Sequence, residues 1–97
     1  MNFSLSPDAE AELAEAAAYY AQNVSRGMAE RFVAMFEQKA KLLAQFPGMG
    51  TKTSRDRRAY PIGRYRYSII YRVDDDNLRI IAIAAHARRP KYWRGRT

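Results

Sequence analysis

Apolar side chains recur along the first half of the chain at the three- and four-residue spacing of two successive amphipathic helices. Ser6 followed by Pro7 marks the start of the first helix, because serine caps free backbone N–H groups and proline fits the first turn. Residues 25–27 interrupt the pattern, and Pro47 disfavours helical geometry in Phe46. The predicted core faces are Ala9, Leu13, Ala16, Tyr20 and Val24 in the first helix, and Met28, Phe32, Phe36, Ala40 and Leu43 in the second.

The second half of the chain has the two-residue alternation of β-strands. From residue 65 to residue 73, every second side chain is tyrosine or aliphatic, so one face of this strand should lie on the core, with Tyr65, Tyr67 and Tyr71 under the helices. The other face, with Arg66 and Arg72, should be open to solvent. Residues 74–77 read as a hairpin loop. Residues 78–85 are apolar almost throughout, as expected of a strand that is covered by its neighbours.

Two shorter strands complete the predicted order β-α-α-β-β-β. They are residues 2–5 and residues 59–62, while residues 51–58 are polar, basic and without periodicity, as in a loop. The short connection between the helices predicts an antiparallel helix hairpin. Its apolar face must be covered by the sheet. The sequence therefore predicts an α+β fold of two layers, with the helix hairpin packed on a mainly antiparallel sheet.

Composition limits the class of protein. With 97 residues and 47% hydrophobic content, the chain supports one core, so we expect a single domain over residues 1–97. It has no cysteine and one histidine, which leaves no disulfide framework and no conventional metal site, and we expect no metal or cofactor. Acidic residues break the apolar stretch that a secretion signal needs, and no window reaches the length of a membrane span. We expect a cytoplasmic protein without membrane contact.

The two halves of the chain differ in charge. Residues 1–50 contain four Lys or Arg and six Asp or Glu, a net charge of −2, whereas residues 51–97 contain thirteen and four, a net charge of +9. The basic surface therefore belongs to the second half. Such a field attracts phosphate backbones or an acidic protein, and charge alone does not distinguish these partners.

Residues 86–96 concentrate this charge, with five Lys or Arg, no acidic residue and two aromatic residues. This composition is typical of a binding surface, because the cations can neutralise acidic groups and the aromatic rings can stack on bases or fill a protein pocket. Alternatively, Tyr92 and Trp93 fold back over the sheet, and both interpretations can hold together. The segment follows the last core strand, so a deletion after Arg89 is expected to spare the fold, at a cost of about 1–3 kcal/mol if Trp93 packs partly on the sheet. The predicted target- or partner-binding residues are Arg66, Arg72, Arg88, Arg89, Lys91, Tyr92, Trp93, Arg94 and Arg96.

Four motifs, in their order along the chain, resemble the RelE/ParE superfamily of type II toxins. They are Tyr19-Tyr20 near the end of the first helix, the Phe-Pro-x-x-Gly of residues 46–50, the Ile-Tyr-Arg of residues 70–72, and a terminal series of His, Arg, Pro, Tyr-Trp and Arg within residues 86–96. The last spacing of the terminal series differs slightly from the family pattern. The resemblance covers nearly the whole chain and implies the same β-α-α-β-β-β fold.

The resemblance implies a toxin of one of two kinds. One branch cleaves messenger RNA in the ribosome, and the ParE-like branch, associated with plasmid stabilisation, inhibits DNA gyrase without a nuclease site. Nuclease members usually carry an arginine three residues before the tyrosine that matches Tyr71, whereas this chain has Ser68 there. We therefore expect a ParE-like toxin without catalytic residues. Under the nuclease alternative, the catalytic residues would be His86, Arg64, Arg66, Arg88 and Tyr92.

The resemblance also implies macromolecular partners. They are an acidic antitoxin, which would form a hetero-oligomer with the toxin, and DNA gyrase, with the ribosome and messenger RNA as the alternative target. The antitoxin segment is expected to be acidic, partly apolar and disordered until bound. His86 also has a structural interpretation, because a lone histidine at the end of an apolar strand is more often hydrogen-bonded than catalytic. A non-toxic nucleic-acid or protein-binding module is the third interpretation.

Overall fold

The computed structural model describes residues 1–97, which form a helix hairpin on one face of a five-stranded sheet. This is the α+β architecture that the sequence predicts. Neither helix combines the length and the apolar character that a membrane-crossing helix needs. The elements are β1 (Asn2–Leu5), α1 (Pro7–Asn23), α2 (Arg26–Gln45), a 3-10 turn (Pro47–Met49), β2 (Thr51–Lys52), β3 (Arg58–Pro61), β4 (Tyr67–Asp74) and β5 (Asn77–Ala85).

The sheet places the first strand of the chain beside the last. The strand order is β1-β5-β4-β3-β2, in which β1 is parallel to β5 and all other neighbours are antiparallel. The short strand β2 corrects the prediction that residues 51–58 form a loop throughout, because Thr51 pairs with Ala59 and Lys52 with Arg58. A strand of two residues is too short to show alternation, so the sequence pattern did not reveal it.

Two serines fix the starts of the helices. The Ser6 Oγ accepts a hydrogen bond from the Ala9 N–H at 3.1 Å, and the Ser25 Oγ accepts one from the Met28 N–H at 3.0 Å. The predicted start of α1 at Ser6-Pro7 is thus confirmed. The end of α2 is also as predicted, because Gln45 is its last residue and Pro47 opens the following turn.

The main core lies between the helix hairpin and the inner face of the sheet. At one end of this core, the rings of Tyr20, Phe32, Tyr65 and Tyr67 pack with centroid distances of 5.1 to 6.2 Å. The predicted core position of the strand tyrosines is confirmed. The buried residues of this core are Ala9, Ala16, Phe32, Phe36, Ala40, Leu43, Ile62, Ile69, Tyr71, Leu78, Ile80 and Ile83.

Two valines depart from the predicted core faces. Val24 is 59% exposed and Val73 is 42% exposed. Val24 caps the C-terminal end of α1 at the tip of the helix hairpin, and Val73 lies one residue before the end of β4. Both residues follow the apolar pattern of their element, but each lies at its end, beyond the part that the other layer covers.

A second, smaller core lies on the outer face of the sheet. Residues 86–97, which we call the C-terminal strap, cross this face. Trp93 of the strap is 4% exposed and packs with sheet residues. A deletion after Arg89 would uncover this core, and the expectation that the fold survives that deletion stays a prediction. The sheet residues in this second core are Ile70, Ile81, Ala82 and Ala84.

The buried side chain of Tyr71 anchors the loop that follows α2. Its hydroxyl donates a hydrogen bond to the Pro47 carbonyl at 2.6 Å and accepts one from the Gly50 N–H at 3.0 Å. Arg58 Nη1 donates to the Gly48 and Gly50 carbonyls at 3.3 and 2.7 Å. The sheet therefore fixes this loop through four hydrogen bonds.

The close approach of Tyr71 predicts that Gly50→Ala destabilises the protein. A Cβ at residue 50 would lie 2.6 Å from the Tyr71 hydroxyl oxygen, so the ring or the loop would have to move. We expect a loss of about 1–3 kcal/mol in the free energy of unfolding, measured by urea denaturation. Gly48→Ala is the matched control, because no atom lies within 4 Å of a Cβ there. Equal unfolding midpoints for the two variants would contradict this packing.

Candidate functional site

The C-terminal strap is a run of tight turns. Four of its backbone N–H groups donate to the carbonyl three residues earlier, at distances between 2.9 and 3.3 Å: Arg88 to Ala85, Tyr92 to Arg89, Arg94 to Lys91, and Arg96 to Trp93. Lys91 has a φ of 58°, in the left-handed region that a lysine seldom adopts. The strap therefore has a defined turn conformation. Because this conformation is unfavourable by itself, other parts of the molecule must hold it.

One carboxylate of α1 holds the strap in place. Glu12 is 9% exposed, and one of its oxygens accepts a hydrogen bond from the Tyr92 hydroxyl at 2.6 Å. Arg96 donates to both carboxylate oxygens, at 2.8 and 3.1 Å, and Arg88 donates to one of them at 3.2 Å. The guanidinium groups of Arg88 and Arg96 lie 3.6 and 5.1 Å from the centre of the Tyr92 ring. Two cations and a phenol thus compensate the burial of a single carboxylate.

The same carboxylate completes an edge of the sheet. β1 ends at Leu5, opposite Ile80, so β5 continues past its parallel neighbour. Glu12 Oε1 accepts a hydrogen bond from the Ile83 N–H at 3.0 Å, and Arg96 Nη1 donates to the Ile81 carbonyl at 3.2 Å. These side chains replace the missing strand, since backbone groups at a covered edge need partners.

The hydrogen bonds around Glu12 shift the pKa values of the cluster. Burial raises the pKa of Glu12, but the hydrogen bonds from Arg96, Tyr92 and the Ile83 N–H outweigh it, so the pKa lies below its ordinary value of 4.5. Burial and the bond to Glu12 raise the pKa of the Tyr92 hydroxyl. The bond to Glu12 also raises the pKa of Arg96. At neutral pH the cluster therefore contains a carboxylate, a neutral phenol and a guanidinium cation.

The predicted binding residues fall into two groups. Those with internal partners include Arg72, which donates to Asp74 at 2.9 Å and also to the Thr97 carbonyl. The prediction that Trp93 is available to a partner is corrected, because the apolar outer face of the sheet needs a cover and Trp93 supplies it. The residues with internal contacts are Arg72, Arg88, Tyr92, Trp93 and Arg96, and the exposed cations without a side-chain partner are Arg66, Arg89, Lys91 and Arg94.

The structure brings only part of the nuclease set together, because His86, Arg88 and Tyr92 line one concavity beside Ser68. His86 Nε2 lies 2.8 Å from the Ser68 hydroxyl, which is the structural hydrogen bond that the sequence left as an alternative for this histidine. The Tyr92 hydroxyl is occupied by Glu12. Arg64 and Arg66 line a different concavity from the one beside His86.

The concavity lined by Arg64 and Arg66 is an apolar groove at the tip of the helix hairpin. Its volume is about 660 Å³, and it lies between the hairpin tip and the turn from β3 to β4. Tyr19 is 55% exposed at this groove, and the two cations Arg64 and Arg66 belong to its lining. The lining residues are Tyr19, Tyr20, Val24, Met28, Met35, Gly63, Arg64, Tyr65 and Arg66.

Two features of the site were missed by reasoning from the sequence. Glu12 carried a signal, because it lies three residues after Ala9 and four before Ala16, which places its carboxylate on the buried face of α1. The groove carried a weaker one, since Tyr19 and Val24 are apolar residues at the tip of a predicted helix hairpin. Neither signal identifies the groups that the side chains contact.

Comparison with known families and proteins gives one match over most of the chain. Residues 3–90 match the family model described as the ParE toxin of the type II toxin–antitoxin system parDE. No curated protein matches the chain.

Solved structures resemble the fold. The chromosomal ParDE toxin–antitoxin system from P. aeruginosa contains a chain that superposes with a TM-score of 0.77 at 20% sequence identity, over 88% of this chain and 95% of that one. The YoeB dimer from Staphylococcus aureus gives a TM-score of 0.59, also at 20% identity, over 89% of this chain and 97% of that one. At these identities the likeness concerns the fold.

The lowered pKa of Glu12 predicts a loss of stability in acid. Because folding lowers this pKa, the charged carboxylate stabilises the folded protein. This stabilisation is fully present when the pH is above the ordinary pKa of 4.5, and it is lost as the pH falls through the pKa of the folded protein. At pH values under about 5, we expect the free energy of unfolding to decrease more steeply with falling pH in the wild type than in Glu12→Gln. Urea denaturation at a series of pH values measures this difference.

The exposed Glu15 on the same helix provides the control for this prediction. Glu15→Gln should keep the wild-type pH dependence, because Glu15 makes no ion pair or hydrogen bond with the strap. At neutral pH, Glu12→Gln should be less stable by about 3–5 kcal/mol, as expected when one partner of a buried ionic cluster is removed. Parallel curves for all three proteins would show that folding does not lower the pKa of Glu12.

Proposed function

The chain belongs to the ParE toxins of type II toxin–antitoxin systems, and we propose that it arrests growth by inhibiting DNA gyrase until a cognate antitoxin binds it. The observation that carries the choice of target is that the Tyr92 hydroxyl, which a nuclease would use, donates a hydrogen bond to Glu12. The exposed strap cations Arg89, Lys91 and Arg94 have no internal partner, so they are available to bind a macromolecule. Since gyrase acts on chromosomal DNA, the proposal includes a cytoplasmic location.

The geometry around Tyr92 supports binding over RNA cleavage. Cleavage of RNA needs a general base, a general acid and cations around one phosphate. The Tyr92 hydroxyl donates to Glu12 and has a raised pKa, so it is a poor proton donor and acceptor at neutral pH. Arg88 shares the same carboxylate, and Ser68 stands where a nuclease would place an arginine.

For the antitoxin, we propose the apolar groove at the hairpin tip as the docking site. The groove combines aromatic and methionine side chains with the two cations Arg64 and Arg66. This chemistry complements a segment that is partly apolar and acidic, which folds as it binds. The groove lies apart from the exposed cations of the strap, none of which lines it. The complex would be a hetero-oligomer of toxin and antitoxin.

The gyrase proposal predicts two activities of the purified protein. It should inhibit supercoiling of relaxed plasmid by gyrase, and it should leave ribosome-bound messenger RNA intact in a translating extract. His86→Ala should retain full inhibition, because this imidazole bonds Ser68 and has no assigned part in binding. Codon-linked cleavage of messenger RNA that disappears in His86→Ala or Tyr92→Phe would instead favour the ribonuclease. A protein with neither activity would favour the non-toxic binding module.

The groove proposal predicts that charge reversal at its cations weakens the antitoxin complex. Arg64→Glu with Arg66→Glu should raise the dissociation constant at least about tenfold, since both side chains would repel an acidic segment. Isothermal titration with the antitoxin encoded beside this chain measures the change. Lys39→Glu with Lys41→Glu on α2, outside the groove, is the control of equal charge. Equal weakening by both pairs would mean that net charge, and not the groove, determines binding.

A further inference from the structure

The strap separates its polar side chains by function. Arg88, Tyr92 and Arg96 are directed to one carboxylate, and Trp93 is buried on the outer face of the sheet. The three remaining cations, Arg89, Lys91 and Arg94, are exposed and make no ion pair or side-chain hydrogen bond. Inward and outward side chains are interspersed within residues 88–96. The positions of the outward cations therefore depend on the contacts of the inward side chains.

Glu12 is the one group that all three inward polar side chains share. It contacts the strap near its start, at Arg88, and near its end, at Arg96, so it spans the turn that contains Lys91. The left-handed conformation of Lys91 is unfavourable for a lysine in isolation. Because no side chain fixes Lys91 directly, the contacts on either side must hold its backbone. Loss of the carboxylate would release both sides of this turn.

We propose that Glu12 is a positioning residue for the toxic surface: it holds the strap so that Arg89, Lys91 and Arg94 together form a docking site for an acidic protein surface on the target. This inference rests on the proposed function, because it assumes that the strap binds the target. It adds the residue that sets the geometry of binding and the chemistry that the target must present. Glu12 itself touches no target in this arrangement.

The internal contacts of both strap aromatics favour an acidic protein over a nucleic acid, since Trp93 is buried and Tyr92 is half-buried. Proteins that bind single strands combine cations with exposed aromatic rings on which bases stack. Here Trp93 is 4% exposed, and the Tyr92 ring is in contact with the guanidinium groups of Arg88 and Arg96. The surface that remains is cationic without a stacking platform. Carboxylate side chains of a protein satisfy such a surface, and the match of charge speeds their association.

Trp93 offers a direct measure of the position of the strap. It is the only tryptophan of the chain, so fluorescence excited at the long-wavelength edge, where the tyrosines do not absorb, reports on its burial alone. In Glu12→Gln, we expect the emission to shift to longer wavelength and acrylamide quenching to increase, because the strap leaves the sheet. Inhibition of gyrase and growth arrest should both weaken at least about tenfold. Antitoxin affinity should stay within about twofold, because the groove does not include Glu12.

Two triple variants separate the position of the strap from its charge. Arg89→Ala with Lys91→Ala and Arg94→Ala should keep Trp93 buried and lose at least about tenfold in inhibition, with a weaker dependence of inhibition on salt. Arg31→Ala with Lys39→Ala and Lys41→Ala removes the same charge from α2 and should retain full inhibition. Tyr92→Phe removes one bond to Glu12 and should give a smaller change of the same kind as Glu12→Gln. If Glu12→Gln no longer binds antitoxin, and is therefore unfolded, the same measurements on Tyr92→Phe test the proposal.

Four results would overturn the inference. Trp93 that stays buried in Glu12→Gln would show that Glu12 does not hold the strap. Trp93 that becomes exposed while toxicity stays complete would show that the position of the strap does not matter. Full toxicity of the strap triple variant would exclude its cations. If the wild type binds a DNA duplex in the absence of gyrase, and the strap triple variant loses this binding together with its toxicity, the ligand of the cations is phosphate. Growth arrest by a wild type that leaves gyrase active would contradict the proposed target, while the same variants would still decide the role of Glu12 by growth arrest.

Discussion

The burial of one carboxylate is the constraint on which the rest of this structure depends. Glu12 is buried on α1, where an uncompensated charge would cost several kcal/mol, and it is stable there only because two guanidinium groups, a phenol and a backbone N–H surround it. These donors come from β5 and from the strap. One side chain thus joins the helix layer, the edge of the sheet and the segment that covers the outer face. The position of the exposed cations follows from that junction.

Local chemistry in the sequence was sufficient to predict most elements. Ser6-Pro7 and Pro47 gave the start of the first helix and the end of the second, because caps and prolines act within a few residues. The alternation along β4 placed its tyrosines under the helices correctly. The short strand β2 was not predictable in this way, since two residues show no period and their pairing depends on the register of β3.

The candidate site was predictable in composition but not in arrangement. The count of cations in residues 86–96 identified the segment, yet it could not tell which of them face inward. That distinction depends on Glu12, which lies 76 positions before Arg88 and 84 before Arg96 in the sequence. Trp93 shows the same limit, because its burial depends on the apolar outer face formed by β4 and β5. Contacts between residues so far apart in the sequence leave no periodic pattern from which they could be predicted.

The pairing of β1 with β5 has a consequence for the synthesis of this toxin. Residues 2–5 must wait for residues 77–80 before they gain their hydrogen-bonded neighbour, and Glu12 must wait for the strap. Contacts between such distant positions carry a loop-closure entropy that slows their formation. During translation the ribosomal exit tunnel still encloses the strap when the helix hairpin has emerged. The hairpin side of the groove therefore leaves the ribosome first, Arg64 and Arg66 follow it, and the surface that we assign to the target is the last part of the toxin to form.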